Sequence, residues 1–584
     1  MRPISALGSL AALFAVAIGA GLFLAPQPAA PAPQPARKVK LAVLVVFDQM
    51  RGDFLERWHA LFGPNGFARL QRDGAWFTNC HYPYGTTTTG PGHASMLTGA
   101  CPDAHGIVNN TWAEGGQEVY CAGSPRYKLV PPAPAFPAEP SPKDTKDKPA
   151  AKVPMIGSPE RLRSETVADV LKEVHGAKSK VFGLSLKDRS AILPTGKRPD
   201  GAYWFYGTFG TSTYYTERVH PWVEQFNRSK FADQWFGRDW THFRPDVDYT
   251  RWSGQPDDVR GEGAGVGQRG AFPHPTTGGK PALGKNYYEA LANSPFGNDL
   301  LLEFTKTCVT AERLGADDAP DLLVVSFSSN DLIGHTWGPD SHEVLDVTLR
   351  SDALMADLLA FLDTTVGKNE YLLGVTADHG VCPLPEITFG PNPPRGRVNL
   401  PDLRARLETH LTAKFPTPKP ADGKPARWVE EFVFPWVYLN PRLVAASGQP
   451  QAAIAEEASK YLRELKNSNV MRTFTRAELA GTFPESDVMA NRVKRSFYPA
   501  RSGDIFVVLE PYYLPGSKPG ETGTTHGAPF NYDTHVPLLV YGPGIRGGVR
   551  TEPTTPQALA RIFSKWLNVR DPKSAAFPVP KTLE

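Results

Sequence analysis

Cysteine is scarce in this chain of 584 residues: Cys80, Cys101, Cys121, Cys308 and Cys382 are all it has, and none is at zinc-finger spacing. The odd number leaves at least one thiol unpaired, and a disulfide among the first three is left open. Nor is either charge in excess. Lys and Arg total 63 against 60 Asp and Glu, a formal net charge of +3, so the balance implies no polyanionic partner and no nucleic acid. Hydrophobic residues at 41% and charged residues at 21% exclude both a disordered chain and a membrane-embedded one. There is no internal repeat.

What is present begins with an address. Arg2 precedes an apolar stretch from Ile4 to Leu24, followed by Pro- and Ala-rich sequence. This is the layout of a signal peptide, residues 1–30 including the start of a linker. The alternative is an uncleaved anchor, since about 20 apolar residues span a bilayer. The alanines and prolines favour cleavage, so a periplasmic or secreted protein without stable membrane association is expected. No cysteine sits near the end of the stretch, and no lipid modification is implied.

Three Val- and Leu-rich runs read as strands covered on both faces: "LAVLVVF" over Leu41–Phe47, "LLVVSF" over Leu322–Phe327 and "YLLGVT" over Tyr371–Thr376. Each leads directly into carboxylates or histidines. Helical patterns lie between them, one opening at a Thr166 cap and one running over His342–Leu362, and a later one is capped by Thr555 with Pro556 as its first residue. This alternation predicts an α/β fold, a mainly parallel central sheet with helices on both faces, over a catalytic domain of residues 38–570. Three segments interrupt it: a Pro-rich surface loop at 124–160, an aromatic-rich insertion of hairpin and loop at 197–300, and an inserted α+β subdomain at 393–500. Ligands of such sheets sit beyond the carboxyl ends of the strands, where Asp48, Lys187, Asp331 and Asp378 fall.

Asp331 and His335 are four apart, Asp378 and His379 are adjacent, and Asp48 and His526 are two more candidate ligands. Any one alone caps a turn or satisfies a local hydrogen bond. Together, three carboxylates and three imidazoles in one crevice would repel unless cations neutralised them. Six mixed Asp and His ligands are too many for one tetrahedral zinc, so two metal ions are expected. The run "GTTTTGPGH" at 85–93 then acquires a meaning. Pro91 looks like the first residue of a helix, with Thr89 just ahead of it, where backbone N–H groups would face an anion. Thr89 is either a cap or a nucleophile, and Thr88 is its one competitor.

These residues resemble the alkaline phosphatase superfamily, and more closely its bacterial branch of phosphate-monoesterases with a threonine nucleophile, which is related to nucleotide pyrophosphatase/phosphodiesterases. The motifs "VVFDQMRGD", "TGPGHASMLTG", "HGIVNNTW", "SLKDRSAILPTG", "SFSSNDLIGHTWGPDS", "TADHG" and "GTTHGAPFNYDTHVPLLVYG" occur in family order from about Leu41 to Gly542. The resemblance implies two Zn2+ per chain, one held by Asp331, His335 and His526, the other by Asp48, Asp378, His379 and the oxygen of Thr89. It implies that Thr89 forms a phosphothreonine intermediate and that Asn110, rather than Asn109, contacts phosphate. His93, His105, His342 and His535 lie inside the motifs but are expected only to support them. Small phosphate monoesters of broad range are the expected substrates, and a monomer is expected.

"SLKDR" bears on the substrate class. In an extended chain Lys187 and Arg189 point to one side and Asp188 away. A lysine point charge beside a forked guanidinium suits the extra charge of a monoester dianion. In the resembling branch this pair separates monoesterases from the phosphodiesterase/nucleotide pyrophosphatase relatives, which remain the alternative. A sulfatase would need Cys or Ser where Thr89 stands. A binding protein with a decayed site would not need Thr89, Lys187 and Arg189 together.

Overall fold

Every residue of the run Leu41–Phe47 is buried in strand β1, at the centre of a ten-stranded sheet. The computed structural model describes residues 38–136, 155–387, 396–415, 426–518 and 520–583. These lie within a compact unit spanning Lys38–Glu584. The expected export signal and the middle of the Pro-rich loop lie outside the described residues.

The other strands of the sheet are β2 (Ala75–Phe77), β3 (Leu129–Val130), β4 (Val181–Ser185), β5 (Gly201–Phe205), β6 (Phe209–Ser212), β7 (Asp321–Phe327), β8 (Tyr371–Thr376), β9 (Leu538–Tyr541) and β10 (Gly548–Arg550). Their spatial order is β10-β2-β9-β8-β1-β7-β4-β5-β6-β3. From β8 through β5 the pairings are parallel. This middle is also where the sequence runs are apolar throughout, because both faces are covered. Beyond this middle β9 runs antiparallel to β8 and β2, and the β5–β6 hairpin and β3 are antiparallel too, while β10 at the other edge is parallel to β2.

The long helix covers His342–Leu362, with Ser341 accepting from the Val344 N–H as its cap, and the Thr166 helix carries a capping box with Asp169. The helix expected to start at Pro556 begins instead at Ala558, after a turn that includes Pro556 and Gln557. In the 197–300 segment the β5–β6 hairpin is joined by helices Pro221–Arg228, Tyr249–Ser253 and Lys285–Ala292, which loop-rich composition had hidden. Aromatic contacts, including a stacked Phe209–Phe304 pair with centroids 3.7 Å apart, seat this segment on the main core. Around residues 396–509 a four-stranded sheet with helices Leu400–Lys414 and Gln451–Glu464 has its own apolar cluster. Its strand Ile505–Leu509 lies past residue 500, so the element set extends beyond the boundary read from composition.

Candidate active site

Four neighbouring strand ends deliver the charged groups. Asp378 and His379 follow β8, Asp48 follows β1, Asp331 sits in the helix Ser329–Trp337 after β7, and Lys187 follows β4. The strands are adjacent and parallel, so residues hundreds of positions apart emerge on one edge. His526 arrives on a loop held by Asp533, whose Oδ2 accepts from the N–H groups of Gly527 (2.9 Å) and Ala528 (2.8 Å).

Two clusters of ligating atoms result. Asp48, Asp378 and His379 form one, and Asp331, His335 and His526 the other, with the ligand atoms in each within 4.8 Å of one another. All three imidazoles use Nδ1 to donate to a backbone carbonyl: His335 to Thr524 at 2.7 Å, His526 to Thr87 at 2.7 Å and His379 to Gly380 at 2.9 Å. A carbonyl only accepts, so Nδ1 carries a proton in each ring and Nε2 is the nitrogen turned toward the site, the one that would ligate a metal from the neutral ring. Asp48 Oδ1 and Asp378 Oδ2 are buried and have no hydrogen-bond partner. Unpartnered buried carboxylate oxygens beside imidazole lone pairs are a donor set that fits divalent metal ions.

The electrostatics follow from crowding. Burial, then the charges of Asp331 and Asp378, push the Asp48 carboxyl up. Burial acts the same way on Asp331, but His335 and Lys187 outweigh it and hold that carboxyl well below the usual range. His379 is pushed down to about 4 by burial, and His526 falls well below its ordinary value through burial and the neighbouring rings of His379 and His335. Lys187 is driven up in spite of burial because its ammonium pairs with Asp331 and with Asp48, the latter at 2.7 Å. It thus joins one carboxylate from each cluster.

Thr89 is in the first turn of the helix Thr89–Thr98, with Thr88 at the cap position. The helix therefore starts two residues before Pro91, and Thr89 is not its cap. The Thr89 Oγ is 3.4 Å from His379 Nε2. Thr88 is turned aside, its hydroxyl donating to Asn109 Oδ1 at 3.0 Å. The Gly90 N–H, one of the free helix donors expected to face an anion, donates instead to Asn110 Oδ1 at 2.7 Å. That contact leaves the Asn110 Nδ2 group as the outward donor. Gly92 allows the helix its close approach: a Cβ there would lie 2.3 Å from the Asp378 carbonyl oxygen.

The extended geometry expected for "KDR" is not found. Residues Asp188–Ile192 are helical with Lys187 as cap, so sides do not alternate. Arg189 lies against Tyr120, its Nη1 donating to the phenol at 3.3 Å, and the same phenol donates to Asp188. Asp188 is therefore a half-buried anchor and not an outward charge. Asn110, Lys187 and Arg189 are half-buried, as are His335 and His526.

Sequence reasoning missed Gln49. Its backbone N–H donates to Asp378 Oδ1 (3.1 Å) and its Nε2 to Asp331 Oδ1 (2.7 Å), so one residue orients a carboxylate in each cluster. It does so at φ 68°, and a Cβ on Gly334 would lie 2.0 Å from its Oε1. Only its place after Asp48 in the first motif hinted at it. His93 supports as expected, bonded to the Thr89 carbonyl (2.9 Å) and Ser326 Oγ (2.8 Å). Cys80, Cys101 and Cys121 are separate buried thiols, which answers the disulfide question left open above.

A parallel α/β sheet with two Asp/His clusters and a hydroxyl at a helix N-terminus defines a hydrolase of the metal-assisted type. The family model for type I phosphodiesterase / nucleotide pyrophosphatase matches residues 42–529, and the chain belongs to that family, within the alkaline phosphatase superfamily. It is 32% identical over 551 residues to the alkaline phosphatase PhoV of Synechococcus elongatus, covering 93% of this chain and 92% of that one. It is 33% identical over 549 residues to the alkaline phosphatase PafA of Elizabethkingia meningoseptica, covering 92% and 93%. The crystal structure of wild-type PafA superposes with a TM-score of 0.81 at 31% identity, over 94% of this chain and 99% of that one.

Proposed function

We propose that the protein hydrolyses phosphate monoesters of broad range by double displacement through Thr89. It is a phosphoric monoester hydrolase, as its full-length similarity to proteins named alkaline phosphatase supports. The observation that carries the finer reading is Lys187, whose ammonium sits between Asp48 and Asp331 beside the Thr89 helix.

Asp48, Asp378 and His379 would hold one ion, with Thr89 Oγ beside them, and Asp331, His335 and His526 a second. We take both as Zn2+, since mixed imidazole and carboxylate donors suit it. When bound, such ions supply charge that lowers the pKa of a hydroxyl and stabilises a departing oxygen. The chain does the rest. Thr89 Oγ attacks phosphorus in line, forming an O–P bond as the alcohol leaves. Water then attacks the phosphothreonine, and the Thr89 oxygen leaves with release of inorganic phosphate. Two of the three Lys187 donors are engaged by carboxylates, leaving one for a phosphoryl oxygen. The Asn110 amide and the Arg189 fork complete the cradle, and the extra positive charge favours a dianion over a diester. We further propose a monomer exported through residues 1–30 to the periplasm or beyond. No described helix is long and apolar enough to cross a membrane.

The test pairs p-nitrophenyl phosphate with bis-p-nitrophenyl phosphate on zinc-loaded protein, with metal analysis of the same sample. The monoester should be cleaved faster. A higher kcat/KM for the diester would assign the chain to the phosphodiesterase alternative.

A further inference from the structure

A third cluster lies outside the site above. His242, in the aromatic-rich segment, Asp257, further along it, and His342, the first residue of the long helix His342–Leu362, bring one ligating atom each to within 4.8 Å of one another. His342 Nδ1 and Asp257 Oδ1 are 4.0 Å apart. His242 Nε2, Asp257 Oδ1 and His342 Nδ1 are all buried, and none has a hydrogen-bond partner. Three unpartnered polar atoms in one buried place each carry an uncompensated desolvation cost.

Each side chain is held from behind so that this atom is the one offered. His342 Nε2 bonds to the Gln255 carbonyl at 3.0 Å, so Nε2 carries the proton and Nδ1 the lone pair. Asp257 Oδ2 accepts from the Phe272 N–H at 3.1 Å, leaving Oδ1 to the cluster. The His242 ring lies against Phe272 and Tyr249, with centroids 4.0 and 4.2 Å away. Its chain neighbours are fixed in turn by Asp346, which accepts from Trp240 Nε1 (2.7 Å), the Phe243 N–H (2.6 Å) and the Tyr249 hydroxyl (2.6 Å). His342 itself is 5% exposed.

We propose that His242, Asp257 and His342 form a third divalent-metal site, of the zinc class, that staples the 239–275 segment to the start of the long helix. Two imidazoles and one carboxylate are a donor set for zinc, with water as the fourth ligand on the partly exposed Asp257 side. Zinc bonds near 2.1 Å set ligand atoms roughly 3.3 Å apart, so binding draws the three side chains slightly inward. The Asp257 carboxylate offsets the positive end of the helix dipole, which alone would disfavour a cation there. Glu343, the next helical residue, is engaged with His274 at 2.9 Å and is not needed as a ligand.

The experiment is zinc content per chain, by plasma mass spectrometry, of the full-length protein saturated with zinc and desalted. His242→Ala and the milder Asp257→Asn, which retains an acceptor for Phe272, are compared with wild type. Each variant should hold one zinc fewer per chain, with monoester turnover within about threefold of wild type and a smaller rise in Tm on adding zinc. Equal zinc content in all three proteins would overturn the proposal. Because the reading is a difference between wild type and variant, it stands apart from the number of ions at the Thr89 site.

Discussion

At the scale of single residues the proposed mechanism rests on one hydroxyl and on groups that aim others. Thr89→Ala should lower kcat on p-nitrophenyl phosphate by on the order of 10³-fold or more, with zinc content unchanged. Wild-type turnover in this variant would move the nucleophile elsewhere in the threonine run. His105 gives a separate test of burial. It is fully buried, bonded to Ser95 Oγ at 3.0 Å and accepting from the Ile107 N–H at 3.1 Å, and burial pushes its imidazole down to about 3. The folded pKa is thus below the unfolded value of about 6.5. Its contribution is present above pH 6.5 and is lost as pH falls toward 3, because only the unfolded chain takes up the proton in that window. His105→Asn, which keeps an acceptor for Ile107, should flatten the loss of urea resistance between pH 7 and 4 relative to wild type. Parallel losses would show that His105 is not the group titrating.

Among the elements, the helix Thr89–Thr98 is placed by contact rather than by pattern. Gly92→Ala would set a methyl against the Asp378 carbonyl and lift the helix off the turn that bears two candidate ligands, Asp378 and His379. A displacement near 1 Å costs about 10²-fold in rate, so kcat/KM should fall by that order while the thermal midpoint moves little. Unchanged kinetics would mean that the helix can shift freely. The same contrast explains what was legible beforehand. Strands Leu41–Phe47 and Tyr371–Thr376 and the helix His342–Leu362 are legible to the residue, because long apolar runs and a 3.6-residue period report burial directly. "TTTTGPGH" has no such period, so its sequence points to a helix start at Pro91, two residues after the true one at Thr89. "KDR" reads as extended because a short helix after a strand leaves no periodic trace. The pairs Asp378–His379 and Asp331–His335 are visible in the sequence as candidate ligand chemistry. Gln49 is not, since an amide has no charge to flag it and its partners are 282 and 329 residues away.

For the whole molecule, metal removal is the direct probe. Without cations, Asp48, Asp331 and Asp378 repel across the strand ends, and Lys187 is the one ammonium paired to them among the described residues. Dialysis against a chelator should therefore abolish turnover and lower Tm by several degrees, with both restored by zinc, since ligands of the native state stabilise by mass action. A Tm indifferent to the chelator would contradict metal binding by these residues. The sheet order carries one more consequence. β8, β1, β7 and β4 are neighbours in space but are made in the order β1, β4, β7, β8, and the loop bearing His526 comes later still. During synthesis no shorter length of chain contains both clusters. The protein thus emerges without a complete reactive centre and gains both clusters only once the chain has been made as far as His526, so a nascent chain that stops short of it holds an unfinished site.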